Sequence, residues 1–248
     1  MTGRILPRSS IRPTEPVLRR LRSLATLSEA EIEVVKRLED RRDRHRVGDE
    51  LFIEGDGARR PRFVISGWAS AQRVLADGRR QIFGFWLPGD GLGLYPRMTP
   101  PALYSVVATT AMETVDAEPV LDLVRSGASP GLLRAFAAAA RAEDAMLLDQ
   151  IIRLGRQTAY ERVAHFLLET QERLATVGMA DNLHFPLPLT QEVLADALGL
   201  SIVHVNRTLQ QLRRDKLIEW RSGVAVLLQR DLLTSIADYK SLNRPAGA

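Results

Sequence analysis

The sequence contains no cysteine in 248 residues. That absence excludes a disulfide scaffold, a thiolate-held iron–sulfur cluster, a thiolate zinc site and a cysteine nucleophile together. No apolar run approaches the roughly 20 residues that a membrane-crossing helix needs, so no membrane partner is expected. Charge of one sign is also scarce. Thirty-four basic and 30 acidic residues leave a formal net charge of +4. That balance permits nucleic-acid binding without arguing for it. Most of the basic residues are arginine, whose planar fork suits carboxylates and phosphates. Histidine is sparse, with His45, His165, His184 and His204 only, and none between Val47 and Asp122. An enzyme on a cupin-like barrel, which needs histidines and carboxylates clustered on its strands, is therefore a poor reading. Met1 to Arg22 carries arginines but no uninterrupted apolar core and no clean cleavage site. It reads as a cytoplasmic arm rather than a signal peptide.

What is present divides into three textures. In the first, Leu18, Leu21 and Leu24 recur at helical spacing, and Ser28 looks like an N-cap before Glu29, Glu31, Ile32, Val35 and Leu38. The charge-dense stretch from Glu39 to Arg46 reads as a solvated helix face and loop. From Val47 to about Asp122, nine glycines punctuate short runs rich in β-branched and aromatic residues. Those runs are Leu51–Ile53, Phe63–Ile65, Gln81–Leu87, Tyr104–Ala108 and Glu113–Val115, and they predict an all-β barrel or sandwich. Asp77-Gly78 and Pro88-Gly89-Asp90 are turn signals between them. In the third texture, Leu133, Ala137, Ala140, Asp144, Leu147, Ile151 and Leu154 form a stripe on a long helix from Ser129 to Gly155, where Gly155 is expected to end it. A helix of that length crosses a domain or pairs with a second copy, and pairing is the expectation. Asp144 weakens the stripe. A further helix runs through Tyr160, Val163, Phe166 and Leu167. A polar turn at Gly178–Asn182 and an extended Phe185–Pro188 follow.

Thr190 to Arg214 reads as a helix-turn-helix. Thr190 is a plausible N-cap, and Val193, Leu194, Ala197 and Leu198 give the first helix a buried face. Gly199 suits a left-handed helix end, and Ser201 can cap the next helix at once. Val205, Leu209 and Leu212 make the second helix's inward stripe. Ile202, Val203, Asn206, Arg207 and Gln210 remain for its outward face. Asn, Arg and Gln can make paired hydrogen bonds to base edges in a major groove. Thr190, Gln191 and Ser201 sit where helix N-termini meet phosphates. The hairpin turning at Ser222-Gly223 after Ile218 would be a wing. Double-stranded DNA is the expected partner.

These motifs together resemble the Crp/Fnr regulators, the group of the cyclic-AMP receptor protein and the fumarate–nitrate regulator. The resemblance runs from about Leu18 to Ala237. It is carried by Val47-Gly48-Asp49-Glu50-Leu51-Phe52-Ile53-Glu54-Gly55-Asp56, Val64-Ile65-Ser66-Gly67, Asp77-Gly78-Arg79-Arg80-Gln81-Ile82, Phe85-Trp86-Leu87-Pro88-Gly89-Asp90 and the helix-turn-helix with its wing. It implies an α+β chain. A jelly-roll sensor, the double-stranded β-helix of cyclic-nucleotide-binding domains, would span 18–128. A dimerisation helix would span 129–155, and a winged helix-turn-helix 156–240. It further implies a cytoplasmic homodimer on a near-palindromic operator, with RNA polymerase as a partner, and a guanine-reading role for Arg207.

The departures are specific. Members that bind cyclic AMP carry a glutamate soon after the Gly-Asp turn and an Arg-Ser or Arg-Thr pair about ten residues later. Here the first stretch is Gly91-Leu92-Gly93-Leu94-Tyr95, and the second falls near Leu103-Tyr104. Arg97 lies between them in an unmatched context. No cofactor is predicted. The iron–sulfur mechanism is excluded, and neither cyclic AMP nor haem is expected. His45, in its charged run, reads as solvated and His165 as a packed core residue. On the recognition helix, Val203 stands where many members have glutamate, so it can touch a thymine methyl but cannot accept from cytosine. Asn206 could read adenine. An alternative stays open at this point: a small-molecule-binding jelly roll whose helical tail serves only assembly.

Overall fold

The computed structural model describes residues 14–40, 42–57, 60–94 and 102–241. The start of the N-terminal arm, Tyr95 and Arg97 lie outside them. Two short helices open the fold, α1 (Glu15–Leu24) and α2 (Glu29–Lys36). Pro16 starts α1, where a missing N–H costs nothing. Ser28 and Glu31 form a reciprocal capping box on α2.

Eight strands follow: β1 (Arg42–His45), β2 (Glu50–Phe52), β3 (Arg62–Ser66), β4 (Ala69–Val74), β5 (Arg80–Trp86), β6 (Gly91–Leu92), β7 (Ser105–Ala108) and β8 (Met112–Asp116). They make two antiparallel four-stranded sheets, ordered β1-β8-β3-β6 and β2-β7-β4-β5. Phe52, Val64, Ala69, Leu92, Val106 and Met112 pack together as their shared core. The β4–β5 hairpin turns at Asp77-Gly78, with Gly78 at φ +85° and the Asp77 carboxylate accepting from the Arg79 N–H. The glycine-punctuated runs do form an all-β sandwich, and it is the jelly roll that the family resemblance implies.

The charge-dense segment departs from expectation. Arg42–His45 is a strand, not a helix face or loop. It pairs with β8 along its whole length. Arg42 and Arg44 both reach Glu113, and Arg62 bridges to Asp43. Charges on this outer strand are held by cross-strand partners, which an amphipathic-helix reading could not reveal. His45 is half-buried rather than solvated, and its Nε2 lies 2.9 Å from the Thr114 hydroxyl. Burial pushes its pKa below the ordinary value.

After α3 (Glu118–Arg125) comes the long helix α4 (Pro130–Arg156). It passes through Gly155 and ends at Gln157, whose backbone is extended. The boundary is set by the next helix, α5 (Ala159–Thr176), whose N-cap Thr158 forms a capping box with Glu161. The first turns of α4 bury Leu132, Ala135 and Phe136 against the N-terminal helices and sheet. Phe136 meets Phe63 edge-on at 6.4 Å. The predicted stripe points elsewhere: Leu133, Ala137, Leu147 and Ile151 are exposed.

The chain closes with β9 (His184–Pro186), α6 (Gln191–Leu198), α7 (Ile202–Arg214), β10 (Ile218–Arg221), β11 (Val224–Leu227) and α8 (Arg230–Ala237). One continuous core joins this part to the jelly roll. Trp68, Phe85 and Leu87 pack in the same cluster as Phe166, Leu194 and Leu209. The Phe85 and Phe166 rings meet at 5.7 Å. Among the described residues, no helix is long and apolar enough to cross a membrane.

Candidate nucleic-acid interface

Local sequence sets the two helices of the reader. The Thr190 hydroxyl accepts from the Val193 N–H at 3.2 Å and starts α6. Leu194, Ala195, Ala197 and Leu198 are buried, while Val193 is only half-buried. Gly199 ends the helix at φ +64°, ψ +38°, a left-handed conformation that favours glycine. Two residues later the Ser201 hydroxyl accepts from the His204 N–H at 3.2 Å, and α7 begins.

On α7, Val205, Leu209 and Leu212 are buried as predicted, and Thr208 joins them. Val203, Asn206, Arg207 and Gln210 fall at helical spacing on the opposite side, all exposed. Val203 is 79% exposed, an unusual setting for valine in a folded chain. Gln210 Nε2 donates to Asn206 Oδ1 at 3.2 Å, so these two amides form a pair along the face. Ser201 and Thr190 are exposed at their helix starts, and Gln191 is half-buried beside Thr190.

The last turn of α7 is anchored. Arg213 donates to the Trp220 carbonyl at 2.9 Å, and Tyr160 donates to Asp215 at 2.7 Å. Burial and the Asp215 carboxylate push the Tyr160 pKa up, so the phenol keeps its proton. The wing is a three-stranded sheet, β10-β11-β9. Its turn places Ser222 and Gly223 both at positive φ, the conformation of a two-residue hairpin loop. Arg221 stands exposed at its edge.

A cavity of about 310 Å³ lies between β5, α4 and α5. In the stretch where a cyclic-nucleotide binder has its glutamate, Leu94 is buried in an apolar cluster, and a Cβ on Gly93 would sit 3.1 Å from the Phe52 ring. Leu103, near the second half of that motif, is 65% exposed. His165 is buried edge-on against Tyr239 at 5.0 Å, as a packed core histidine, and burial pulls its pKa down to about 4.

Residues 161–236 match the family described as the Crp-like helix-turn-helix domain, and residues 42–126 match the cyclic nucleotide-binding domain. The chain is 37% identical over 175 residues to the transcriptional activatory protein AadR of Rhodopseudomonas palustris, covering 68% of this chain and 70% of AadR. The chain belongs to the Crp/Fnr family of transcription regulators. A second Crp/Fnr relative, the nitrogen fixation regulation protein FixK of Bradyrhizobium diazoefficiens, is 34% identical over 197 residues, 77% of this chain and 79% of FixK. The solved structure of FixK2 from Bradyrhizobium japonicum superposes with a TM-score of 0.69 at 28% identity, covering 81% of this chain and 98% of that one. As a Crp/Fnr member the chain is a DNA-binding transcription regulator, in a family of regulators rather than enzymes. Family membership also decides the choice the sequence left open: the helical tail is a DNA reader and not only an assembly device.

Proposed function

We propose that the chain works in the cytoplasm as a homodimer, joined along α4, that reads a near-palindromic operator with α7 and communicates with RNA polymerase. The division is the one expected from sequence: a sensor at 18–128, a dimerisation helix at 129–155 and a reader at 156–240. The observation that carries this reading is a pair of unsatisfied faces. On α4, Leu133, Leu147, Leu148, Ile151 and Ile152 are exposed, with Leu148 at 61% and Ile151 at 60%. An apolar row of that kind on a long helix is what a paired helix presents. On α7, the exposed Val203, Asn206, Arg207 and Gln210 offer hydrogen-bond donors, acceptors and a methyl surface suited to base edges.

Arg207 is assigned to guanine, Asn206 with Gln210 to adenine, and Val203 to a thymine methyl. Thr190 and Ser201 each accept from their own helix, which leaves the hydroxyl hydrogen free to donate to a phosphate. Gln191 is assigned beside them. Selection of binding sites from random duplexes at fixed salt tests the reading. Two inverted half-sites, altered from the family's where glutamate would read, are expected. Recovery of the cyclic-AMP receptor's own half-site overturns the Val203 assignment. Arg207→Ala should weaken the selected duplex by about 1–3 kcal/mol and relax preference at one base pair per half-site.

A further inference from the structure

The exposed side of α7 begins with two adjacent aliphatic side chains in water. Ile202 is 49% exposed and Val203 79%. The core does not call for either, because Val205, Leu209 and Leu212 already fill the inward stripe and are fully buried. Helix formation does not call for them, since β-branched side chains lose rotamer freedom there. One exposed valine is ordinary, but two large aliphatics side by side at the leading end of a helix make a small apolar edge. Successive helical residues are turned by about 100°, so the two side chains diverge and cannot cover the same spot. Val203 lies one turn before Arg207, and Ile202 one turn before Asn206.

A second helix docked in a major groove meets base edges with its N-terminal residues, where Ile202 and Val203 stand. The apolar feature on that side of a base pair is the C5-methyl group of thymine. 5-Methylcytosine displays the same methyl at the same place. The other way of reading a pyrimidine there, a carboxylate accepting from the cytosine amino group, has no donor set on this helix: α7 contains neither Asp nor Glu. The Asn206 carbonyl oxygen already accepts from Gln210 Nε2 at 3.2 Å.

We infer that Ile202 and Val203 form a methyl-reading edge, each touching a separate pyrimidine C5-methyl group, so that 5-methylcytosine is favoured over cytosine there by the factor that favours thymine over uracil. Ile202 becomes a further specificity-determining residue, and cytosine methylation of the operator becomes an input to binding. The inference rests on the assignment of α7 to base edges above and deepens it by naming the chemical group that is read.

The test uses the full chain and the duplex returned by random-site selection, with base analogues that alter only the methyl. Each thymine of a half-site is replaced in turn by uracil, which pairs identically. Two positions per half-site should lose about fourfold in affinity, the worth of one buried methyl, and the same change in both half-sites should cost about sixteenfold. With cytosine placed at those positions, its 5-methylation should tighten binding by about the same fourfold. Val203→Ala should bring the thymine-to-uracil ratio close to one at one position and leave the other intact; Ile202→Ala should do the reverse. Uracil equal to thymine at every position overturns the inference whether or not either variant folds. So does a cytosine whose methylation changes nothing, or a methyl preference that survives both alanine variants. Arg207→Ala separates the two levels. If it weakens binding while uracil equals thymine, the methyl edge falls alone; if it leaves affinity unmoved, the assignment of α7 falls and takes the methyl edge with it.

Discussion

Glu31 shows how much one buried carboxylate organises. Its oxygens accept from the Ser28 N–H at 2.7 Å, the Ser28 hydroxyl at 3.0 Å and the Leu132 N–H at 3.0 Å. It therefore closes the capping box of α2 and also satisfies an N-terminal N–H of α4. A Cβ on Gly131 would sit 2.4 Å from this carboxylate, which explains a glycine inside the first turn of a long helix. Burial tends to raise the Glu31 pKa, but the hydrogen bonds from Ser28 and Leu132 outweigh it and hold the value below the ordinary 4.5. Glu31→Gln keeps the shape, removes the charge and should cost about 2 kcal/mol at neutral pH. Because the folded pKa is the lower one, this contribution is complete above 4.5 and is lost as pH falls through the folded value. Urea unfolding of both proteins should show a gap at pH 7 that narrows in acid; a gap unchanged well below pH 4.5 would sink the assignment. The Ser28 cap was legible because its partners are local. The Glu31–Leu132 contact was not, because it joins residues 101 positions apart.

At the scale of elements, α4 carries two different faces. Its own chain takes Leu132, Ala135 and Phe136, then Gln150 and Arg153. The row containing Leu147, Leu148, Ile151 and Ile152 stays outside. Since Ile151 contributes little to the folded monomer's core, Ile151→Asp should leave the unfolding midpoint of the monomer nearly unchanged while placing charge on the proposed seam. Light scattering after gel filtration should report the monomer mass, and affinity for a two-half-site duplex should fall at least tenfold. A dimer that persists would move the seam elsewhere. Periodicity revealed the stripe, and capping chemistry revealed α6 and α7, since Thr190, Gly199 and Ser201 act within one turn of their own positions. Charge density misled at one place and a breaker residue at another. Arg42–His45 lacks an apolar face, so only its pairing with β8 makes it a strand. Gly155 is tolerated because the Thr158–Glu161 box, not the glycine, sets the break.

In the whole molecule, jelly roll and DNA reader meet at an open sheet edge. β5 is the last strand of its sheet, and its free edge is covered by α6 and α4 rather than by another strand. Gln81 Nε2 donates to the Asp196 carbonyl at 3.0 Å, and Gln150 Nε2 donates to the Ala197 carbonyl at 2.7 Å. Arg80 bridges the Asp196 carboxylate at 2.6 Å. The first helix of the DNA reader is thereby clasped to the strand that walls the cavity. Nothing in the sequence announces this, because Arg80 and Asp196 lie 116 residues apart. Their side chains are 31% and 25% exposed, so the bridge itself is worth about 1 kcal/mol or less. Its effect should be local rather than global. Asp196→Asn should leave the unfolding midpoint almost unmoved yet speed amide hydrogen exchange in β5 and α6, while β3 and β8 in the other sheet keep their protection. Arg80→Glu combined with Asp196→Arg should restore slow exchange. If exchange in β5 is unchanged by Asp196→Asn, the clasp is held by Gln81 and Gln150 alone, and the Arg80 bridge has no part in joining the jelly roll to the reader.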